Sequence, residues 1–143
     1  MSLETGRYLI HHGDKVVSRR LIEDRSNNPK GIFLLNPDEK LELTWIIEKS
    51  GNEYILSNRN APTGPIKDHV FAHLINQELA VKWTIEAVPQ HGKNAYIIKT
   101  SDGKGWVAPD KVDEQIIYKT LIVGPSEPPT FPLNEVFQII KLE

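Results

Sequence analysis

An all-β fold, a β-trefoil with three pseudo-repeats, twelve strands and a six-stranded barrel under a hairpin cap, follows from three observations on this chain. They are a threefold repeat, strand-like patterning over nearly the whole length, and a size of 143 residues. The repeat begins at Trp45-Ile46-Ile47, leading to Gly51 and Tyr54-Ile55-Leu56, and returns at Trp83-Thr84-Ile85, leading to Gly92 and Tyr96-Ile97-Ile98. The third copy opens with Phe137-Gln138-Ile139 and finds its partner at Gly6-Arg7-Tyr8-Leu9-Ile10 if the termini meet in space. The anchors at 45, 83 and 137 stand 38, 54 and, going round through the ends, 51 residues apart. Each copy reads as a strand, a glycine-containing turn and a second strand carrying a tyrosine. A propeller has a similar period but needs at least about four copies.

Taken in order, segments 6–12 and 15–21 are parted by Gly13-Asp14, and 15–21 from 31–36 by the polar run 23–30. Asn36-Pro37-Asp38 precedes 41–49, and Gly51-Asn52 precedes 53–58. Segments 64–71, 81–88, 94–100, 105–109, 115–123 and 134–142 complete the set, each rich in β-branched or aromatic residues and bounded by Gly, Pro, Asn or Asp. The best helical pattern, Asp68 to Glu78 with Val70, Phe71, Leu74 and Ile75, is read as a strand or one helical turn. Alternation in Leu41-Glu42-Leu43-Thr44-Trp45 and Val81-Lys82-Trp83-Thr84-Ile85 sends the apolar members to one face, which makes those tryptophans core residues first.

One domain, 1–143, is expected at this length. A net charge of −2 and a pI near 6.2 give no electrostatic footprint for nucleic acid or an anionic membrane. No apolar run approaches the roughly 18 residues of a membrane span. Met1 to Gly6 is too polar and short for a signal peptide, so a cytoplasmic protein is expected; a monomer is expected as well. With no cysteine the chain has no disulfide scaffold, thiolate nucleophile or Cys-based metal site.

Enzymatic readings fare badly. His69 and His73 have the spacing of a zinc-protease helix without its glutamate, and His11, His12 and His91 are scattered. No G-x-S-x-G elbow occurs. Gly103-Lys104-Gly105 lacks the spacing of a phosphate loop and reads as a hairpin turn. The pairs Glu23-Asp24 and Asp113-Glu114 sit in polar loops with nothing to split their pKa values. No catalytic residue, cofactor or metal is therefore expected.

Function is then sought in the loops: 23–30, 58–65, 101–105 and the proline-rich 124–132, whose two Pro-x-x-Pro patterns read as a stiff linker. A carbohydrate-binding trefoil lectin is one reading. Its Q-x-W signature is replaced by Leu43-Thr44-Trp45, Val81-Lys82-Trp83 and Glu135-Val136-Phe137, leaving Trp106 as the aromatic near a turn for a sugar to stack on. A protease inhibitor is the other.

The opening Met1 to Tyr8, the loop Glu23-Asp24-Arg25-Ser26-Asn27-Asn28-Pro29-Lys30, and the run from Ser101 through Trp106 to Lys111 and the proline-rich crossover together resemble the mushroom serine protease inhibitors of the cospin and cnispin type. The likeness spans essentially the whole chain. It implies a cysteine-free β-trefoil that inhibits trypsin-like serine proteases, with Asn27 as the reactive-site residue in an inhibitory loop of Asp24, Arg25, Ser26, Asn28, Pro29 and Lys30. The same frame in the related mycocypins implies cysteine protease inhibition as an alternative.

Charge alone selects other residues. Trypsin's specificity pocket ends in a carboxylate, so the bonds Arg25-Ser26 and Lys30-Gly31 are the electrostatic candidates. Asn27 has two amide donors to offer that carboxylate, directly or through a water. Arg59, in the 58–65 loop, reads as solvated surface.

Overall fold

The computed structural model describes residues 3–38 and 43–142. Leu41 and Glu42, the start of the predicted 41–49 strand, lie outside the described residues.

Among the described residues thirteen strand segments follow one another: β1 (Gly6–His12), β2 (Lys15–Ser18), β3 (Lys30–Gly31), β4 (Phe33–Leu35), β5 (Trp45–Ser50), β6 (Glu53–Asn58), β7 (Ala61–Ile66), β8 (His69–Ala72), β9 (Thr84–Ala87), β10 (Ala95–Lys99), β11 (Lys104–Val107), β12 (Ile117–Thr120) and β13 (Phe137–Lys141). β3 and β4 are one strand interrupted at Ile32, whose N–H donates to the Val70 carbonyl at 3.1 Å instead of to a ladder partner on β2. Merging them leaves the twelve strands of a trefoil.

A ring closes through β1, β5, β6, β9, β10 and β13. Five of its joints are antiparallel ladders: β1 with β5 and β13, β5 with β6, and β10 with β9 and β13. The sixth, β6 to β9, is made by Tyr54 and Trp83, which exchange two N–H···O bonds of 2.7 Å. Closure removes the exposed edges that an open sheet would offer for aggregation. The hairpins β2–β4, β7–β8 and β11–β12 cap one end, knitted together where β8 pairs with both β3 and β12.

The repeat reappears as register. Tyr8 stands opposite Trp45, Tyr54 opposite Trp83, and Tyr96 opposite Phe137, so each tyrosine meets the aromatic anchor of the next repeat. Trp45, Trp83 and Phe137 are fully buried. Trp106 fills the space among them, with ring centroids 5.7 Å from Trp45, 5.6 Å from Trp83 and 6.0 Å from Phe137. Its indole is wholly buried, so Trp106 is a core residue and no sugar platform. The indole N–H groups of the first two anchors find partners, Trp45 donating to the Val17 carbonyl at 2.8 Å and Trp83 to the Thr63 hydroxyl at 3.0 Å.

Several element boundaries differ from the sequence reading: the strands expected at 81–88, 115–123 and 134–142 are shorter, and the expected 58–65 loop is strand β7 from Ala61 onward. The predicted strand 64–71 is the hairpin β7–β8, turning at Lys67 with φ of 54°. The predicted strand 15–21 stops at Ser18. The helical pattern over 68–78 resolves into β8 and a single 3₁₀ turn at Gln77–Leu79.

Candidate functional site

The strand β2 ends where it does because Arg19 leaves the sheet to make a buried brace. Its guanidinium forks onto Glu23, with Nη2 2.7 Å from Oε1 and Nε 3.1 Å from Oε2, a paired planar geometry that an ammonium could not supply. The remaining nitrogen donates to the carbonyls of Asn58 at 3.2 Å and Arg59 at 3.4 Å. Asn58, with no exposed surface, accepts on Oδ1 from the Ser18 hydroxyl and the Arg19 N–H. Arg59 adds a 2.6 Å bond to the Arg20 carbonyl and lies 3.6 Å from Glu23. Arg59 is thus a clamp on the neighbouring loop, correcting its reading as solvated surface. Its backbone, with Asn60, sits in the left-handed region at φ of 49° and 66°, which turns the chain between β6 and β7 and aims the side chain back at residue 20.

At the other end Lys30 begins β3, paired with Ala72 on β8. Only 6 % of it is exposed, and its ammonium binds Asp24 through the carboxylate and through the backbone carbonyl at 3.2 Å, with the Ser26 hydroxyl at 3.3 Å. A lysine spent in this way has no cation to offer a specificity pocket. The bond Lys30-Gly31, one of the two electrostatic candidates, is therefore withdrawn.

Between these anchors residues 24–29 are all exposed. Asp24 Oδ1 accepts from the Ser26 N–H at 3.0 Å and the Ser26 hydroxyl at 2.5 Å, an Asx-type turn, and the Ser26 oxygen accepts from the Asn28 N–H at 3.2 Å. Hydrogen bonds from Lys30 first and Ser26 second hold the Asp24 carboxyl well below its usual range, at about 2. Among the described residues the side chains of Arg25 and Asn27 take no part in this network. They face solvent from a loop whose backbone is tied beneath them. Asn27, Asn28 and Pro29 also line one wall of a cavity of about 230 Å³, faced by His73, Leu74, Ile75 and Asn76.

Elsewhere the chemistry is structural. His73 is buried with Nε2 3.1 Å from the Gly64 carbonyl, and His69 lies on β8, so the two do not share a helix face. In the 101–105 turn, Asp102 binds the Thr100 hydroxyl at 2.5 Å and the Lys104 N–H at 3.1 Å.

The sequence profile of peptidase inhibitor I66 matches residues 1–141. The chain belongs to that family. A "Serine protease inhibitor" of Lentinula edodes is 78% identical to this I66 inhibitor over 142 residues, covering 99% of this chain and 100% of the relative. The proteinase inhibitor from Coprinopsis cinerea superposes with a TM-score of 0.91 at 33% identity, covering 99% of this chain and 100% of that one. A Polyporus squamosus lectin aligns over 99% of this chain and 51% of its own at a TM-score of 0.67 and 13% identity, which shows a shared fold and nothing further. The I66 family comprises inhibitors rather than enzymes. Of the seven residues expected to form the inhibitory segment, Asp24 to Pro29 are exposed in one loop and Lys30 is buried at the start of β3. The brace of Arg19, Asn58 and Arg59 leaves little trace in the sequence. Its only sequence signal is the i, i+4 pairing of Arg19 with Glu23, which in a chain read as strand carries no weight.

Proposed function

We propose that this chain inhibits trypsin-like serine proteases by presenting residues 24–30, substrate-like, to the active site, with Asn27 as the residue that enters the specificity pocket. The observation that carries the reading is the pattern of contacts across the Asn27–Asn28 bond. Lys30 reaches back to Asp24 and Ser26, and the Asn28 N–H reaches the Ser26 hydroxyl, so both flanks of that bond are tied to each other and not only to the barrel.

The physics of inhibition follows from that tie. A flexible substrate segment loses affinity because binding must order it, whereas a loop already ordered forfeits little. If the protease opens the Asn27–Asn28 bond, the new ends remain held by Asp24, Ser26, Asn28 and Lys30, and religation competes with departure. Pro29 removes further backbone freedom next to the bond. The 78% identity to a serine protease inhibitor supports the target class, and the exposed Asn27 amide supports a neutral donor in a carboxylate-ended pocket. Trp106, the aromatic on which a lectin reading rested, is buried.

The test is a titration of trypsin activity with the wild-type protein and with Asn27→Ala and Arg25→Ala. Wild type is expected to inhibit, Asn27→Ala to weaken inhibition at least about thirtyfold, and Arg25→Ala to have a small effect. The reverse order of the two variants would move the primary residue to Arg25, and a wild type without effect would reject the target class.

A further inference from the structure

Six exposed residues, 24–29, are too few for a stable protease complex. Such pairs bury about 800 Å² on each partner, roughly 20 to 30 residues a side. Part of the remainder must come from chain that lies beside the loop, and register identifies that chain. Lys30 pairs with Ala72, so the residues leaving this last rung, Pro29 backwards and His73 forwards, run out of the cap side by side. They form the two walls of the cavity lined by Asn27, Asn28, Pro29, His73, Leu74 and Ile75.

We propose that residues 74–76 are a second docking segment for the serine protease, with Ile75 as its apolar anchor. It rests on the reading of 24–30 as the inhibitory loop. Ile75 is a large aliphatic side chain left 60 % exposed beside that loop, while Leu74 next to it packs on the core. The segment is held in place from below: the His73 N–H donates to the Pro62 carbonyl at 2.8 Å, His73 Nε2 meets the Gly64 carbonyl, and the 3₁₀ turn Gln77–Leu79 closes it on the far side. A fixed aliphatic group costs little ordering entropy on binding.

The cavity also fixes the side of the active site that Ile75 meets. Its loop wall is Asn27, Asn28 and Pro29, the proposed pocket residue and the two that follow it, and not Asp24, Arg25 or Ser26. Ile75 therefore faces the rim of the protease cleft that receives the leaving-group side of the substrate. The charge-bearing residues Asp24 and Arg25 face the opposite rim.

The experiment measures binding to trypsin of the full chain, wild type against Ile75→Asp, Asn27→Ala and Leu133→Asp, an exposed apolar residue outside the cavity. Ile75→Asp is expected to weaken binding about tenfold, mainly through faster dissociation, with thermal unfolding unchanged and Leu133→Asp indistinguishable from wild type. Amide exchange of the wild-type complex is expected to show protection at 74–76 as well as at 24–30, and this arm reads the segment even if the Ile75 variant folds poorly. If Asn27→Ala abolishes binding while Ile75→Asp binds within twofold of wild type and 74–76 gains no protection, the second segment is refuted and the inhibitory loop stands. If trypsin does not bind wild type at all, the reading of the loop falls and takes this surface with it.

Discussion

Asp24 holds the centre of the candidate site. One of its carboxylate oxygens accepts from Lys30 and twice from Ser26, and these bonds explain why its carboxyl is held near 2. Because the folded value is depressed, the ordering it contributes is fully present above the ordinary aspartate pKa of 3.8 and is lost as pH falls through about 2. The Asp24–Lys30 tie therefore survives at pH 3. Observed by NMR, the Asp24 carboxyl should titrate near 2; a midpoint near 4 would show that the Lys30 contact is not maintained in solution. Asp24→Ala removes the carboxylate and leaves the buried Lys30 ammonium with only the residue-24 carbonyl and Ser26. The expected result is an inhibitor that trypsin digests at least about tenfold faster, followed by mass spectrometry of the intact chain, with a lowered thermal midpoint because the buried Lys30 ammonium loses its carboxylate partner. Unchanged digestion would mean that the loop is held from its ends alone. At this scale the sequence is only partly informative. Lys30 looked like a free cation because a charge beside Gly31 in a polar run is usually solvated, and nothing local reveals that it folds back over six residues.

The cap hairpins position both walls of the site, and here small residues decide. Gly64 on β7 lies so close to the next segment that a Cβ would sit 2.3 Å from the Leu79 carbonyl oxygen and 2.9 Å from the Ala80 Cα. Both obstacles are backbone and cannot rotate away. Gly64→Ala should destabilise the fold by about 1–3 kcal/mol in denaturant unfolding, and the shift of residues 79–80 should alter the segment 73–76 that precedes them. Unfolding at the wild-type midpoint would show that the approach is looser than this. Strands bounded by glycine, such as β1 and β6, are legible in the sequence to the residue. The β7–β8 turn is not, because Lys67 adopts the left-handed conformation that local rules reserve for Gly, Asn or Asp. The end of β2 is missed for a different reason: Arg19 answers to Glu23 and to Asn58, and Asn58 is contributed by another repeat.

Over the whole molecule, threefold order is what the sequence shows most clearly. The pairing of Tyr8, Tyr54 and Tyr96 with Trp45, Trp83 and Phe137 turns a recurrence in the chain into a closed barrel. The place of Trp106 could not be read, since a lone tryptophan after Gly105 looks like a surface aromatic until the three anchors converge on it. On the proposed reading, barrel and cap present a short polar segment tied at its entry by Arg19, Glu23 and Arg59 and at its exit by Lys30. That claim is tested most directly by backbone ¹⁵N relaxation of the free protein. Order parameters for residues 24–30 are expected to match the barrel strands, near 0.85, and values under about 0.6 in that segment would contradict a preorganised loop.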